Sequence, residues 1–174
     1  INQKVFAKVK KLHVFKRKKD FFTLSKSRLV DLSKLNCILF RKDPPVNEKY
    51  IHMTHMLDYL EQDGVLIINS PQSIRDFNEK LLGNNLTNHS VPTLVSSNQD
   101  IIMSFINKYK QVVVKPLNLM GGQDIIKLSY RDKSLSRKIT NITQDAEKFI
   151  MVQKYLNQVK NGDTRILIIN GIVH

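Results

Sequence analysis

The chain of 174 residues carries 28 Lys and Arg against 15 Asp and Glu, a net charge of +13, with 41% hydrophobic residues and one cysteine. That length allows one good core or two small ones. No apolar run approaches the roughly 20 residues of a membrane span, and one cysteine excludes an internal disulfide. The lone thiol fits a reducing compartment, and nothing at the N-terminus resembles a signal peptide, so the chain is read as cytoplasmic with no membrane partner. Ile1 at the start and "GIVH" at the end, in the return limb of a hairpin pattern, read as a piece of a longer chain.

The basic excess could serve a polyanion. Apart from "KVKKLHVFKRKK" (Lys8 to Lys19), however, the basic residues are scattered among abundant Lys, Asn and Ile, a composition typical of an AT-rich coding sequence. That stretch interleaves charge with Val9, Leu12, Val14 and Phe15, as a hairpin with one solvated face would. No nucleic-acid partner is expected.

In chain order, "KVFAKV" and "NCILF" predict strands, the second with Cys37 as a small core residue. The prolines of "RKDPPVN" end a strand ladder. "EKYIHMTHMLDYLEQDG" predicts a helix with Met53, Met56, Leu57 and Leu60 on its buried face. His52, His55 and Asp58 on that helix lack a fourth ligand and read as surface residues. "VLIIN" is a strand, and "SPQSIRDFNEKLL" one helix with Ile74, Phe77 and Leu81 on one face. Strand, helix, strand, helix implies a parallel sheet covered by helices.

"GNNLTNHS" then reads as a hinge. Beyond it "VPTLVS" is a strand, "NQDIIMSFINKY" a helix, and "QVVVK" and "DIIKL" two strands joined by a loop. "SYRDKSLSRKITNITQDAEK" predicts turns plus a helix. "FIMVQKYL" is a strand, and "TRILIINGIVH" a hairpin turning at Asn170-Gly171.

The joining loop, "KPLNLMGG" (Lys115 to Gly122), holds two of only 6 glycines. A strand-end lysine sends out a point charge suited to a phosphate. Side-chain-free Gly121 and Gly122 let backbone N–H groups approach phosphate oxygens. The pattern is neither GxxxxGK[ST] nor GxGxxG, and an ordinary hairpin loop with a glycine pair fits it equally well.

From Phe40 onward a denser set of motifs accompanies that loop. "RKDPPVN", "NSPQSIRDFNEKL", "VPTLVS", "VVVKPLNLMGG" and "VQKYLNQVKNGDTRILIINGIV" stand in order along the chain. Together they resemble the bacterial glutathione synthetases of the ATP-grasp superfamily, whose patterns include RKDPPFD, R-D-x-N-E-K-L, P-x-T-L-V-T and K-P-L-D-G-M-G-G. The resemblance implies an α/β to α+β fold. Residues 1–78 would be the end of a parallel-sheet substrate domain (pre-ATP-grasp), and 79–174 part of the ATP-grasp domain. It implies an ATP-dependent ligase that joins γ-glutamylcysteine to glycine through an acyl phosphate.

By the same resemblance, Lys80 and Lys115 match the two phosphate lysines, and Gly121 and Gly122 the loop that closes over the phosphates. Gln153, Lys154, Tyr155 and Leu156 match the segment along adenine, Asp163 the ribose residue, and Arg165 a catalytic arginine between phosphate and substrate. Arg41, Lys42 and Asp43 would line the dipeptide site or merely cap a strand. Magnesium would be bound by residues outside this chain, so the 174 residues alone are expected to be inactive. The resemblance leaves room for a homo-oligomer of the complete protein. Asn118 and Leu119 depart from the family's Asp and Gly, and Lys154 and Asn157 from its Asn and Pro. Leucine at 119 restricts the loop where the family has glycine. The rival readings are another ATP-grasp carboxylate–amine ligase, against which RKDPP and NEKL argue, and a non-catalytic remnant with residual ATP affinity.

Overall fold

The computed structural model describes residues 4–86, 90–169 and 171–174. Contacts divide the chain into two units, Ile1–Leu82 with Asn118–Met120 and Gly83–Leu117 with Gly121–His174.

The first unit begins with β1 (Phe6–Val9), β2 (Leu12–Val14), β3 (Phe22–Leu24) and β4 (Arg28–Asp31). β1 pairs antiparallel with β4, and β2 with β3. The basic stretch is therefore one limb of a larger hairpin, and Lys16 to Lys19 lie in its connecting loop. Leu12, His13 and Val14 are all exposed, so the expected one-faced burial does not occur. A pair of three-residue strands has no second layer to bury a face against.

A parallel pair follows. β5 (Cys37–Leu39) and β6 (Leu66–Ile68) align Ile38 with Ile67, joined through α1 (Glu48–Gln62). Asn47 starts α1 by accepting from the Tyr50 N–H at 3.0 Å. Leu57, Leu60, Val65 and Ile67 form the core here, with Ile38, Phe40, Val5 and Leu32 packed against it. Strand alternation then decides the fate of the thiol: Ile38 faces the core, and its neighbour Cys37 is exposed, against expectation. The buried stripe of α1 is Tyr50, Thr54, Leu57 and Leu60, which shares Leu57 and Leu60 with the predicted one, while Met56 is 47% exposed. Thr54 tolerates full burial because its hydroxyl donates to the Ile51 carbonyl at 2.7 Å.

The single helix predicted over 70–82 is two, α2 (Pro71–Asp76) and α3 (Glu79–Leu86). Asn78 divides them, its side chain accepting from the N–H groups of Lys80 and Leu81 at 3.0 and 3.3 Å and so restarting the helix. Phe77, predicted on one helix face with Ile74 and Leu81, falls at the break and is 56% exposed, and Leu81 is exposed as well. Of the expected hinge, Gly83 to Leu86 belong to α3, and Thr87 to His89 lie outside the described residues.

The second unit contains β7 (Thr93–Ser96), α4 (Gln99–Tyr109), β8 (Gln111–Pro116), β9 (Ile126–Ser129), α5 (Leu135–Thr143) and β10 (Ile150–Lys154). The sheet order is β7-β10-β8-β9, every pairing antiparallel. One face packs on the helices: Val112, Val114, Leu128, Ile150 and Val152 cluster with Ile102 and Ile106 of α4 and Leu135 and Ile139 of α5. Complete burial of each such side chain contributes about 1.5–3 kcal/mol. The strand period of two sends Val113, Lys115, Lys127 and Gln153 to the opposite face. A last hairpin joins β11 (Ile168–Ile169) to β12 (Ile172–Val173); Asn170, predicted at its turn, lies outside the described residues.

Candidate functional site

A cavity of about 660 Å³ lies on the face of the second unit's sheet opposite α4 and α5. Its apolar lining comes from Val91, Val113, Ile125, Leu156 and Val159, and its polar lining from Lys115, Lys127, Gln153, Lys154, Tyr155 and Asp163. The strand pattern explains this division. Val113 shares a register position with Lys127 on β9 and Gln153 on β10, and Lys115 lies two residues further along β8.

A chain of hydrogen bonds crosses the open face. Lys115 Nζ donates to Gln153 Oε1 at 2.7 Å, Gln153 Nε2 donates to Thr93 Oγ1 at 2.8 Å, and Thr93 Oγ1 donates to the Val91 carbonyl at 2.7 Å. These bonds fix the orientation of the Gln153 amide and steady the ammonium of Lys115 over the sheet. On the other side, Lys127 Nζ sits 3.6 Å from the centroid of the Tyr155 ring, a cation–π contact.

Six residues singled out in the sequence thus line one cavity: Lys115, Gln153, Lys154, Tyr155, Leu156 and Asp163. Backbone donors in the 153–156 segment are partly committed, since Lys154 N–H donates to the Pro92 carbonyl and Tyr155 N–H to the Gln111 carbonyl, both at 3.0 Å. Leu156 follows in extended conformation (φ −101°, ψ 119°), and among the described residues nothing accepts from its N–H. It is the available backbone donor at this wall.

Gly121 and Gly122 have φ of +66° and +78°, the region that favours glycine. A Cβ on either would meet nothing within 4 Å, so backbone conformation rather than space is what calls for glycine here. Leu119 is not among the residues of positive φ, so this conformation of the loop places no strain on it. Arg165 is exposed and does not line the cavity.

The remaining candidates belong to the first unit. Lys80 Nζ donates to the Leu119 carbonyl and lies 3.2 Å from Glu79 Oε1. Arg41, Lys42 and Asp43 are exposed, and nearby Val46 N–H donates to the Asn118 carbonyl at 3.0 Å. Asp58 pairs with Arg75 at 2.8 Å and with His55 at 3.4 Å. Among the described residues no three His, Cys, Asp or Glu side chains gather as a metal site. No helix among them is long and apolar enough to cross a membrane.

Sequence reasoning passed over Lys127, Val113 and Ile125. Lys127 had a signal, an alternating position on the strand after the glycine pair, but its neighbours depend on a pairing register that one strand does not encode.

Helices on one face of an antiparallel sheet, with a lysine-bearing cavity on the other, define the class. D-alanyl-alanine synthetase A from Vibrio cholerae O1 biovar eltor superposes with a TM-score of 0.58 at 14% identity, covering 95% of this chain and 54% of that one. The ATP-grasp ligase PsnB, in a complex with a phosphomimetic precursor variant, Mg and ADP, superposes at 0.50 with 12% identity, covering 85% and 53%. The fold is that of the ATP-grasp ligases. Sequence narrows it further: family models described as prokaryotic glutathione synthetase, N-terminal domain, and prokaryotic glutathione synthetase, ATP-grasp domain, match residues 1–75 and 79–174. The chain belongs to the prokaryotic glutathione synthetase family.

Among its relatives, the glutathione synthetases of Buchnera aphidicola subsp. Acyrthosiphon pisum and Pseudomonas putida are both 40% identical, over 169 and 168 residues. Each comparison covers 97% of this chain and 53% of the relative, so the chain spans about half the length of the curated relatives it matches.

Proposed function

We propose that this chain supplies the nucleotide pocket and part of the substrate domain of a glutathione synthase, which ligates γ-glutamylcysteine and glycine at the expense of ATP. The observation that carries the proposal is the gathering of Lys115, Gln153, Lys154, Tyr155, Leu156 and Asp163 around one cavity. In this reading residues 1–78 belong to the substrate domain and 79–174 to the ATP-binding domain. Adenine lies on Val113 and Ile125 with its edge at the Leu156 N–H, and Asp163 takes the ribose hydroxyls. Lys115 meets the phosphates, with Gly121 and Gly122 covering them.

ATP phosphorylates the cysteinyl carboxylate, and the glycine amine attacks the resulting acyl phosphate and expels phosphate. A carboxylate and a triphosphate repel, so Lys80, Lys115 and Arg165 offset the charge that develops between them. Arg41, Lys42 and Asp43 are the dipeptide-binding candidates. Magnesium would be held by residues outside this chain and would supply further neutralisation of the phosphates. The complete protein works in the cytoplasm on small molecules, with neither nucleic acid nor membrane as partner, and a homo-oligomer is compatible with it.

The test is to incubate the full-length protein with ATP, magnesium, γ-glutamylcysteine and glycine, and to measure ADP and glutathione together. Equal formation of both, dependent on both substrates, is expected. Ligation of a different acid or amine would reassign the substrate, and no turnover with any of them would identify a non-catalytic remnant. The 174 residues expressed alone are expected to show no substrate-dependent turnover, for want of a metal site among the described residues.

The loop gives a second prediction. Leu119→Gly in the full-length protein is expected to raise the ligation rate a few-fold by adding freedom to the phosphate cover. The effect stays modest because Leu119 is not held at positive φ here, and its carbonyl, the acceptor of the Lys80 bond, survives the change. A glycine variant that turns over no faster would mean the loop already closes freely with leucine.

A further inference from the structure

We propose that Lys127, steadied on the face of Tyr155, is the residue that reads the nucleotide base in this cavity. The inference rests on the cavity being the ATP pocket, and it adds a base-recognising lysine to the phosphate lysine already placed there. Three ammonium groups, those of Lys115, Lys127 and Lys154, line the cavity against one carboxylate, that of Asp163. Such a lining calls for an anionic ligand. The three are not equivalent by position.

Lys115 stands at the end of β8 beside the glycine loop, whereas Lys127 aligns with Val113, two residues back from Lys115 on the neighbouring strand. Two residues of strand are about 7 Å and one strand spacing about 5 Å, so the two amines bracket the apolar patch of Val113 and Ile125 instead of converging on one phosphate. If the phosphates meet Lys115, the planar base covers that patch and Lys127 meets its far edge.

The chemistry of that edge follows from the ammonium. Lys127 is a donor only, so it must meet an acceptor, and a purine offers one at N7. Among the described residues no carboxylate pairs with Lys127, so its charge is not already neutralised. Its side-chain partner among the described residues is the Tyr155 ring, at 3.6 Å. The contact holds the flexible lysine stem in one place and also occupies that face of the ring. The base is therefore gripped by aliphatic side chains, with Tyr155 supporting the donor and not stacking on the purine through that face.

The experiment compares the full-length protein with Lys127→Met and Lys127→Arg by titration calorimetry, using ATP and inorganic triphosphate as probes. Methionine keeps the apolar stem without the charge; arginine keeps donor and cation–π contact. Loss of one charge-assisted hydrogen bond predicts about a tenfold weaker ATP affinity for Lys127→Met. Triphosphate affinity should be unchanged, and Lys127→Arg should stay within about twofold of the parent on this account. A Lys127→Met variant that binds ATP as tightly as the parent, with an unchanged melting temperature, would overturn the inference. So would an equal fall in ATP and triphosphate affinity, which would make Lys127 a general counter-charge. A parent protein that binds neither probe would overturn the ATP-pocket reading itself.

Discussion

Replacing Lys115 by alanine in the full-length protein is expected to weaken ATP binding about ten- to a hundredfold, the equivalent of about 1.5–3 kcal/mol for a charge-assisted hydrogen bond. Ligation should fall further, because charge builds up on the phosphates as the acyl phosphate forms. The lysine does not act alone: Gln153 accepts from it at 2.7 Å and is itself fixed by its bond to Thr93 at 2.8 Å. Gln153→Leu should therefore reproduce part of the loss by releasing the ammonium from its place. Fluorescent nucleotide titration and single-turnover ligation separate the two effects. Unchanged affinity and rate in Lys115→Ala would remove the phosphate lysine from this account.

The largest expected effect on stability comes from the other face of the same sheet. Ile106 on α4 has no exposed surface and belongs to the cluster with Val112, Val114, Leu128 and Ile139. Ile106→Ala deletes buried methyl and methylene groups between layers that relax only in part, with an expected loss of about 2–5 kcal/mol. Ile101, on the same helix, is 52% exposed, and its alanine variant should change stability by less than about 0.5 kcal/mol. Urea denaturation of the three proteins decides the matter. Equal midpoints for Ile106→Ala and the parent would mean that α4 does not cover the sheet as described.

The contrast between those two isoleucines shows what could be read from the sequence. Helical spacing sets Ile102, Phe105, Ile106 and Tyr109 for burial, and Ile102 and Ile106 are fully buried while Phe105 and Tyr109 are partly buried against the same cluster. The same logic misplaced Phe77, because Asn78 offers the backbone a competing hydrogen-bond acceptor that outweighs the helical pattern. Cys37 was misread for a different reason. An unbroken apolar run of four, Cys37 to Phe40, gives no phase, and only the pairing of Ile38 with Ile67 settles which residue faces α1.

The candidate site shows the same division. Lys115 and the segment from Gln153 to Leu156 could be picked out by resemblance and line the cavity, whereas Gly121 and Gly122, picked out in the same way, are not among its lining residues. Lys127 could not, because its place opposite Val113 depends on how β9 pairs with β8, a long-range register that no short motif carries. Nor could the commitment of the Lys154 and Tyr155 N–H groups to Pro92 and Gln111, which passes the donor role at the adenine edge to Leu156.

On the proposed function, the face of the β7-β10-β8-β9 sheet opposite α4 and α5 holds ATP, with the phosphates toward the glycine loop. A crystal structure of the full-length protein with a non-hydrolysable ATP analogue tests it most directly. The expected result is the base over Val113 and Ile125, its edge at the Leu156 N–H, and the phosphates at Lys115 and Gly121-Gly122. An analogue bound away from this cavity, or lying in it with its phosphates at the Tyr155 end, would contradict the claim.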